Sequence, residues 1–361
     1  MVKKSDKRIV ITGGSGFIGS ALIRHLMKNT NYTLLNYDKL TYSSNNISLS
    51  EFEGKKRYHF ICGDILNSSL FSEALEHFKP NIIMNLAAET HVDRSIEEPS
   101  VFIKSNILGT SIILERSLNY WKKLLPAEKK IFRFHHISTD EVFGSLNFNS
   151  FFNEDSKYNP SSPYSASKAA ADHLVRSWHK TYGLPILLTN CLNNYGPYQF
   201  PEKLIPLIIM NAVNGKELPI YGNGQQERDW LFVDDHAKAL HKVVTHGKIG
   251  ETYNIGGNNV KSNLEVVTQI CNNLDEIYKN KLKKQKSYLD LIKFVVDRPG
   301  HDIRYAIDAN KIKNDLGWQP QETFETGIKK TLLWYLDNMQ WCKAITSKGN
   351  YNGERLGLIK K

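Results

Sequence analysis

A short apolar run at residues 8–12 passes directly into Gly13-Gly14-Ser15-Gly16-Phe17-Ile18-Gly19, and the residues after it keep helical spacing to Asn29. Few loops restrict a fold as much as a G-x-x-G-x-x-G set between a strand and a helix. Glycines there let the backbone turn tightly and approach a pyrophosphate, whose charge sits at the positive end of the helix. Gly13, Gly16 and Gly19 therefore predict a dinucleotide site. Asp38, 19 residues after Gly19 at the end of a second strand, is placed to accept hydrogen bonds from the adenosine ribose. Its charge would repel a 2′-phosphate, which predicts NAD over NADP, although Lys39 beside it works against that preference. Asp64 and Ile65 follow a third strand, where the adenine edge belongs.

Strand-length apolar runs alternate with helix-length amphipathic segments through the first half, the pattern of a doubly wound parallel sheet. The strands fall at 8–12, 33–37, 58–62, 81–86, 132–137 and 186–189, each apolar enough to be covered on both faces. Helices fill 17–29, 68–78, about 99 to 120, and 165–182, the last closed by Gly183 and Pro185. After Asn190 the chain reads as Pro-, Gly- and Asn-rich loops with short elements at 193–201 and 221–226. The expected fold is α/β: a Rossmann-type doubly wound parallel sheet with a smaller mixed α/β C-terminal substrate-binding domain. Residues 1–190, with returning segments at about 229–256, would bind the dinucleotide; residues 191–228 and 257–361 would bind the substrate. No internal repeat or low-complexity segment interrupts this order.

Composition narrows the function classes. No window approaches the ~18 apolar residues a membrane helix needs; the densest, 204–210, contains Pro206. Only Ile9, Val10 and Ile11 follow the N-terminal lysines before Thr12 and the glycines, too few for a signal-peptide core, which predicts a cytoplasmic protein. Cys62, Cys191, Cys271 and Cys342 form no CxxC or Cys/His cluster, so reduced thiols and no metal are expected. Much of the +10 net charge lies in the lysine-rich stretch 279–286, which has no interleaved aromatic platform for nucleic acid. A basic balance suits a diphosphate substrate equally well.

Two clusters carry chemistry. In Tyr164-Ser165-Ala166-Ser167-Lys168 a spacing of four puts Tyr164 and Lys168 on one helical face. A tyrosine titrates near ~10, so as a base at neutral pH it needs positive charge nearby, which Lys168 and an oxidised nicotinamide could supply. Ser138-Thr139-Asp140-Glu141 ends the fifth strand, at the carboxyl edge where doubly wound sheets bind ligands. Of two adjacent acids there, one can act as acid and the other as base.

The glycine loop, Tyr164/Lys168 and the segment after strand five together resemble the extended short-chain dehydrogenase/reductase superfamily. Within it the chain is similar to the dTDP-glucose 4,6-dehydratase family. The resemblance is carried by His135-His136-Ile137-Ser138-Thr139-Asp140-Glu141-Val142, Ser161-Ser162-Pro163-Tyr164-Ser165-Ala166-Ser167-Lys168, Asn193-Asn194-Tyr195-Gly196-Pro197, Tyr221-Gly222-Asn223-Gly224-Gln225-Gln226, Asp297-Arg298-Pro299-Gly300-His301 and Gly353-Glu354-Arg355-Leu356-Gly357. The acid pair is what separates this group from the sugar epimerases of the same superfamily.

The resemblance implies a lyase acting on dTDP-glucose through bound NAD. Tyr164 would take the 4-hydroxyl proton as C4 is oxidised, with Thr139 holding that hydroxyl. Glu141 would then remove the C5 proton while Asp140 protonates the departing 6-hydroxyl, and reduction at C6 would complete a 4-keto-6-deoxy sugar. Phe17, Ile18, Asp38, Lys39, Leu40, Thr41, Asp64, Ile65, Leu86, Ala87, Ala88, Glu89, Thr90, Ser105, Tyr164, Lys168 and Asn194 would line the NAD site. Thr90, Thr139, Asn193, Lys203, Leu204, Pro219, Ile220, Tyr221, Arg228, Asn263, Asp297, Arg298, Pro299, Gly300 and His301 would meet the nucleotide sugar. An arginine fork, Arg228 or Arg298, suits the diphosphate, and Tyr221 could stack on the base. Leu192, Phe143 and Ser105 depart from the family pattern without removing a catalytic group. UDP- or CDP-glucose remains an alternative substrate, and a non-catalytic NAD-binding protein is the rival of a different class. A homodimer joined by a four-helix bundle from the helices at 99–120 and 165–182 is the family's usual assembly, and a deoxysugar such as rhamnose its usual destination.

Overall fold

The computed structural model describes residues 7–44, 46–147, 150–278, 287–297 and 302–348. The chain begins β1 (Arg8–Thr12), α1 (Phe17–Asn29), β2 (Thr33–Asp38), β3 (Tyr58–Cys62), α2 (Ser68–Phe78) and β4 (Ile82–Asn85). It continues through α3 (Val92–Glu97), α4 (Pro99–Phe102), α5 (Thr110–Lys123), α6 (Pro126–Ile131), β5 (Arg133–Thr139), α7 (Pro163–Tyr182) and β6 (Ile186–Cys191). Then come β7 (Asn193–Tyr195), α8 (Leu204–Val213), β8 (Leu218–Tyr221), β9 (Glu227–Phe232), α9 (Val233–His246), β10 (Thr252–Ile255), β11 (Val260–Ser262) and α10 (Asn263–Ile277). The last elements are β12 (Ile292–Val295), β13 (Arg304–Tyr305), α11 (Asn310–Leu316), α12 (Phe324–Asp337) and α13 (Met339–Lys348).

Seven strands pair in parallel in the order β3-β2-β1-β4-β5-β6-β10. Side chains alternate across a strand, so Ile9 and Ile11 pack with α1, α9 and α11 while Val10 packs with α2, α5 and α7. Both faces are thereby covered, which is why these strands are apolar almost throughout. The chain leaves β1 toward β2 on one side and β4 lies on the other, so the crevice opens at the carboxyl ends of β1 and β4.

Three expectations are corrected. The helix at 99–120 is not uniform: residues Ile103–Gly109 wind as a π-helix between α4 and α5. The widened turn lets Asn106 clasp the backbone of Glu89, its Oδ1 accepting from Glu89 N at 2.8 Å and its Nδ2 donating to Glu89 O at 3.0 Å. The helix expected to begin at 165 begins at Pro163, because Ser162 and Ser165 form a reciprocal cap and proline's missing N–H costs nothing in the first turn. Beyond residue 190 the chain is far more helical than its punctuation suggests. Pro206 sits in the first turn of α8, where it breaks no helical hydrogen bond. There α8, α10, α12 and α13 share a second apolar core, including Tyr195, Ile205, Ile270 and Tyr335, beside a small sheet in which β9 pairs with β7, β11 and β13. No helix among the described residues is long and apolar enough to cross a membrane.

Candidate active site

One cleft runs along the carboxyl edge of the sheet. Gly13, Gly16, Phe17, Ile18, Gly19, Asp38, Lys39, Thr41 and Ile65 line one end; Leu86, Ala87, Ala88, Glu89, Thr90 and Ser105 follow; Thr139, Asp140, Glu141, Tyr164 and Lys168 form its floor. Asn193, Asn194 and Lys203 close the far side. Leu40 and Asp64 stand just outside the wall. Leu40 donates its N–H to Asp38 Oδ1 at 2.8 Å, and Asp64 lies 3.6 Å from the Lys39 ammonium.

The glycine loop fits a pyrophosphate. Gly13 has φ +71°, and a Cβ on it would stand 2.7 Å from Ala87 N; one on Gly19 would stand 2.2 Å from Gly13 O. Gly16 caps α1 without a side chain, which leaves first-turn N–H groups to an anion. Asp38 also braces the loop: Oδ2 accepts from Ser15 N at 2.9 Å, and Oδ1 accepts from Ser44 Oγ at 3.3 Å as well as from Leu40. Burial pushes its carboxyl up from the usual range, and these hydrogen bonds oppose the rise.

β5 runs two residues further than expected and carries Ser138 and Thr139 into the cleft floor. A single 3-10 turn, Asp140–Phe143, follows. Thr139 Oγ1 donates to Asp140 Oδ1 at 3.1 Å and accepts from Glu141 N at 3.3 Å. Asp140 is 1% exposed, and burial, then the neighbouring Glu141 charge, hold its carboxyl well above the ordinary range. A carboxyl raised in this way is suited to donate a proton. Tyr164 is held at the start of α7, where its N–H donates to Ser95 Oγ at 3.2 Å.

Lys168, expected to supply positive charge to Tyr164 together with an oxidised nicotinamide, is anchored on β5. The Lys168 ammonium donates to Ile137 O at 2.9 Å and lies 3.5 Å from His136 Nε2. Burial and then the charge of Glu141 hold the phenol well above its ordinary value, with its hydrogen bond to Thr139 acting in the other direction. In the protein alone the phenol is protonated, so a further positive charge is required beside it.

Sequence reading passed over two buried groups that shape this floor. Asp172, one turn beyond Lys168 on the same face of α7, accepts from Ser138 Oγ at 2.8 Å and Tyr158 OH at 2.9 Å, and lies 3.4 Å from His136 Nε2. Burial favours its neutral form, but the hydrogen bond with His136, then the Lys168 charge and the Ser138 hydrogen bond, outweigh it and leave its pKa lowered. Burial and the Lys168 charge pull His136 down to about 4. The imidazole is therefore neutral, and Lys168 is the counter-charge of Asp172. The spacing 164, 168, 172 was the available signal. Glu202 is the second: both Arg94 Nε and Nη2 donate to its Oε2, at 3.1 and 3.0 Å, and Tyr42 OH donates to Oε1 at 2.8 Å. No spacing joins residues 94 and 202, so nothing in the sequence signalled that pair.

The expected sugar-nucleotide set is only partly gathered. Lys203 donates to Thr90 O at 3.2 Å across the cleft. Leu204, Pro219, Ile220, Tyr221, Arg228, Asn263 and Asp297 are outside its wall. The Arg228 fork donates to Glu227 O at 2.8 Å and Asp302 O at 2.9 Å and lies 4.5 Å over the Tyr305 ring, and its charge acts on Asp140 at the cleft floor. Asp297 accepts from Gln226 Nε2 at 2.7 Å. Arg298, Pro299, Gly300 and His301, like the 353–357 motif, lie outside the described residues.

Glycine loop, sheet order and tyrosine-lysine floor define an enzyme of the extended short-chain dehydrogenase/reductase type. Comparison with known proteins sharpens this. The GDP-mannose 4,6 dehydratase family model matches residues 10–331. A dTDP-glucose 4,6-dehydratase of Escherichia coli is 56% identical over 362 residues, covering 98% of this chain and 100% of that protein. The crystal structure of a dTDP-glucose 4,6-dehydratase from Bacillus anthracis, in complex with NAD, superposes with TM-score 0.83 at 42% identity, covering 94% of this chain and 99% of that one. One from Streptomyces venezuelae, with NAD bound, gives TM-score 0.84 at 37% identity over the same shares. The chain belongs to the dTDP-glucose 4,6-dehydratase family.

Proposed function

We propose that this enzyme converts dTDP-glucose to dTDP-4-keto-6-deoxyglucose and water with NAD held in the cleft. The observation that carries this is the acid pair on the floor: Asp140 buried with its carboxyl pushed up, Glu141 next to it and only half-buried, both beside Tyr164. Oxidation and re-reduction alone would need no such pair. Bound NAD, held by the glycine loop and Asp38, would supply reversible hydride chemistry and the additional positive charge the phenol requires.

Around it the chain's own groups do the proton work. Tyr164 accepts the proton of the 4-hydroxyl, which Thr139 orients. The 4-ketone acidifies C5, Glu141 removes that proton, and Asp140 protonates the leaving 6-hydroxyl. Lys168, one helical turn beyond Tyr164, is anchored on Ile137 O. Gly13, Gly16 and Gly19 would take the pyrophosphate and Asp38 the adenosine ribose, while Asn193 and Lys203 would meet the sugar nucleotide.

The organisation proposed for the chain is a dinucleotide-binding part, residues 1–190 with 229–256, and a substrate-binding part, residues 191–228 and 257–361; the second apolar core of α8, α10, α12 and α13 supports it, while α11 packs on the sheet of the first part. A homodimer is proposed through α4, α5 and α7, supported by Ile103 and Leu108, apolar yet 53% and 52% exposed between α4 and α5. Free thiols, with Cys62 exposed, suit the reducing cytoplasm.

The test is mass spectrometry of products after incubation with catalytic NAD and dTDP-, UDP- or CDP-glucose in parallel. Loss of one water from dTDP-glucose without net NADH is expected. Loss from another nucleotide alone would overturn the substrate, and loss from none would overturn the reaction.

A further inference from the structure

Followed atom by atom, the reaction proposed above does not return the enzyme to its starting state, and the present inference rests on that reading. The 4-hydroxyl gives its proton to Tyr164 and never recovers it, because the product keeps a carbonyl at C4. The C4 hydrogen, with its electron pair, ends at C6. The C5 proton goes to Glu141, and one proton returns to C5 from the same carboxyl. Water departs with the oxygen and hydrogen of the 6-hydroxyl and one proton from Asp140. After a turnover Tyr164 therefore holds one proton more and Asp140 one fewer, whereas the next turnover needs the reverse.

Thr139 joins those two groups. Its Oγ1 donates to Asp140 Oδ1 at 3.1 Å, and the same hydroxyl acts on the Tyr164 phenol, which lines the cleft floor beside it. Glu141 N occupies another site on that oxygen at 3.3 Å. A hydroxyl offers one hydrogen and two lone pairs, so this one can receive the phenol's proton while passing its own to the carboxylate. Alternatives are poor. Asp140 is 1% exposed, and its Oδ2 is buried with no hydrogen-bond partner among the described residues, so water has little access to it. The contacts of Lys168 lead to Ile137 O and His136, and from there to Asp172, not to Asp140.

We propose that the Thr139 hydroxyl carries the proton from Tyr164 back to Asp140 once per turnover, resetting the acid and the base inside the cleft. The phenol O–H breaks as a new Thr139 O–H forms, and the original Thr139 O–H breaks as the Asp140 O–H forms. No electrons change hands and no co-reactant is consumed.

Thr139→Ala removes the hydroxyl and opens space beside Asp140 for a small buffer molecule, and Thr139→Ser keeps the hydroxyl. Because Thr139 also orients the 4-hydroxyl, a fall in kcat alone decides nothing. The deciding measurement is kcat against formate or imidazole concentration at fixed pH and ionic strength, with melting curves to establish that each variant is folded. Wild type and Thr139→Ser are expected to be independent of buffer. Thr139→Ala is expected to be at least tenfold slower and to speed up severalfold with buffer, as small acids and bases enter the vacated space. A folded Thr139→Ala that buffer does not accelerate, or a wild type that buffer accelerates equally, overturns the relay. Failure of the dehydratase reading would register separately, as absence of water loss by the wild type.

Discussion

His236 offers a quantitative test of how the far wall of the cleft is held. It lies on α9, fully buried, with Nδ1 3.0 Å from Asn194 Oδ1. Asn194 is itself fixed by donating Nδ2 to Leu192 O at 2.9 Å, so its oxygen faces the imidazole and the Nδ1–H tautomer follows. The other nitrogen, Nε2, has no hydrogen-bond partner among the described residues. Burial pulls the pKa down to about 3. In the unfolded chain the ring titrates near ~6.5. Above that value both states are neutral and His236 contributes nothing to the pH dependence. As pH falls below it the unfolded chain binds a proton that the folded protein refuses until about pH 3, so stability is lost across that window. Between about pH 7.5 and 5.5 the loss from this one ring is about 1.4 kcal/mol. His236→Gln removes the titration. Whatever packing it sacrifices is sacrificed equally at both pH values and cancels in the difference. Urea unfolding followed by tryptophan fluorescence should thus show the variant's deficit against wild type shrinking by about 1.4 kcal/mol from about pH 7.5 to 5.5. A deficit equal at both pH values would refute the claim that burial keeps this ring neutral.

Three further outcomes separate the roles on the cleft floor. Glu141→Gln should bind NAD normally and stall after oxidation at C4, so absorbance of the reduced cofactor builds up on mixing with substrate while turnover falls by ~10²–10⁴-fold; unchanged turnover removes Glu141 as the C5 base. Tyr164→Phe should abolish that build-up, and its rapid appearance would contradict the assignment of the first proton transfer. Gly19→Ala would put a methyl 2.2 Å from Gly13 O and must displace the loop, so NAD affinity by titration should weaken by at least ~10-fold, or about 1.4 kcal/mol, and an unaltered Kd would mean the loop does not hold the pyrophosphate.

Local chemistry governed what could be read before the structure was known. β1, the glycine loop and α1 were legible because strand period, loop glycines and helix spacing lie in one unbroken stretch of residues 8–29. The π-turn at Ile103–Gly109 was not, since its residues have ordinary helical propensity and its widening accompanies the clasp of Asn106 on Glu89 and on Ser167 Oγ at 2.9 Å. Proline misled at 206, where its position within the first turn of α8, invisible without the helix start, made it harmless. Tyr164, Lys168, Asp140 and Glu141 line the floor of one cleft, and the need for one acid and one base was legible in their order, but the burial of each group was not. The phenol's burial and the use of the Lys168 ammonium on Ile137 O are products of packing between α7 and β5.

That packing also explains why the two acids can be adjacent in sequence and still differ in protonation. In a 3-10 turn successive side chains point about 120° apart, so the turn that follows β5 cannot present both carboxyls alike. Asp140 turns inward, under Thr139 and away from water; Glu141 remains half-buried at the cleft wall. Desolvation then raises the pKa of the first, and the charge of the second reinforces the rise. Separating the acids along the chain would weaken that reinforcement and take Thr139 out of reach of one of them. The consecutive order Thr139-Asp140-Glu141 is therefore itself part of the device: one short turn sets an acid, a base and the hydroxyl bonded to the acid at the end of a single strand.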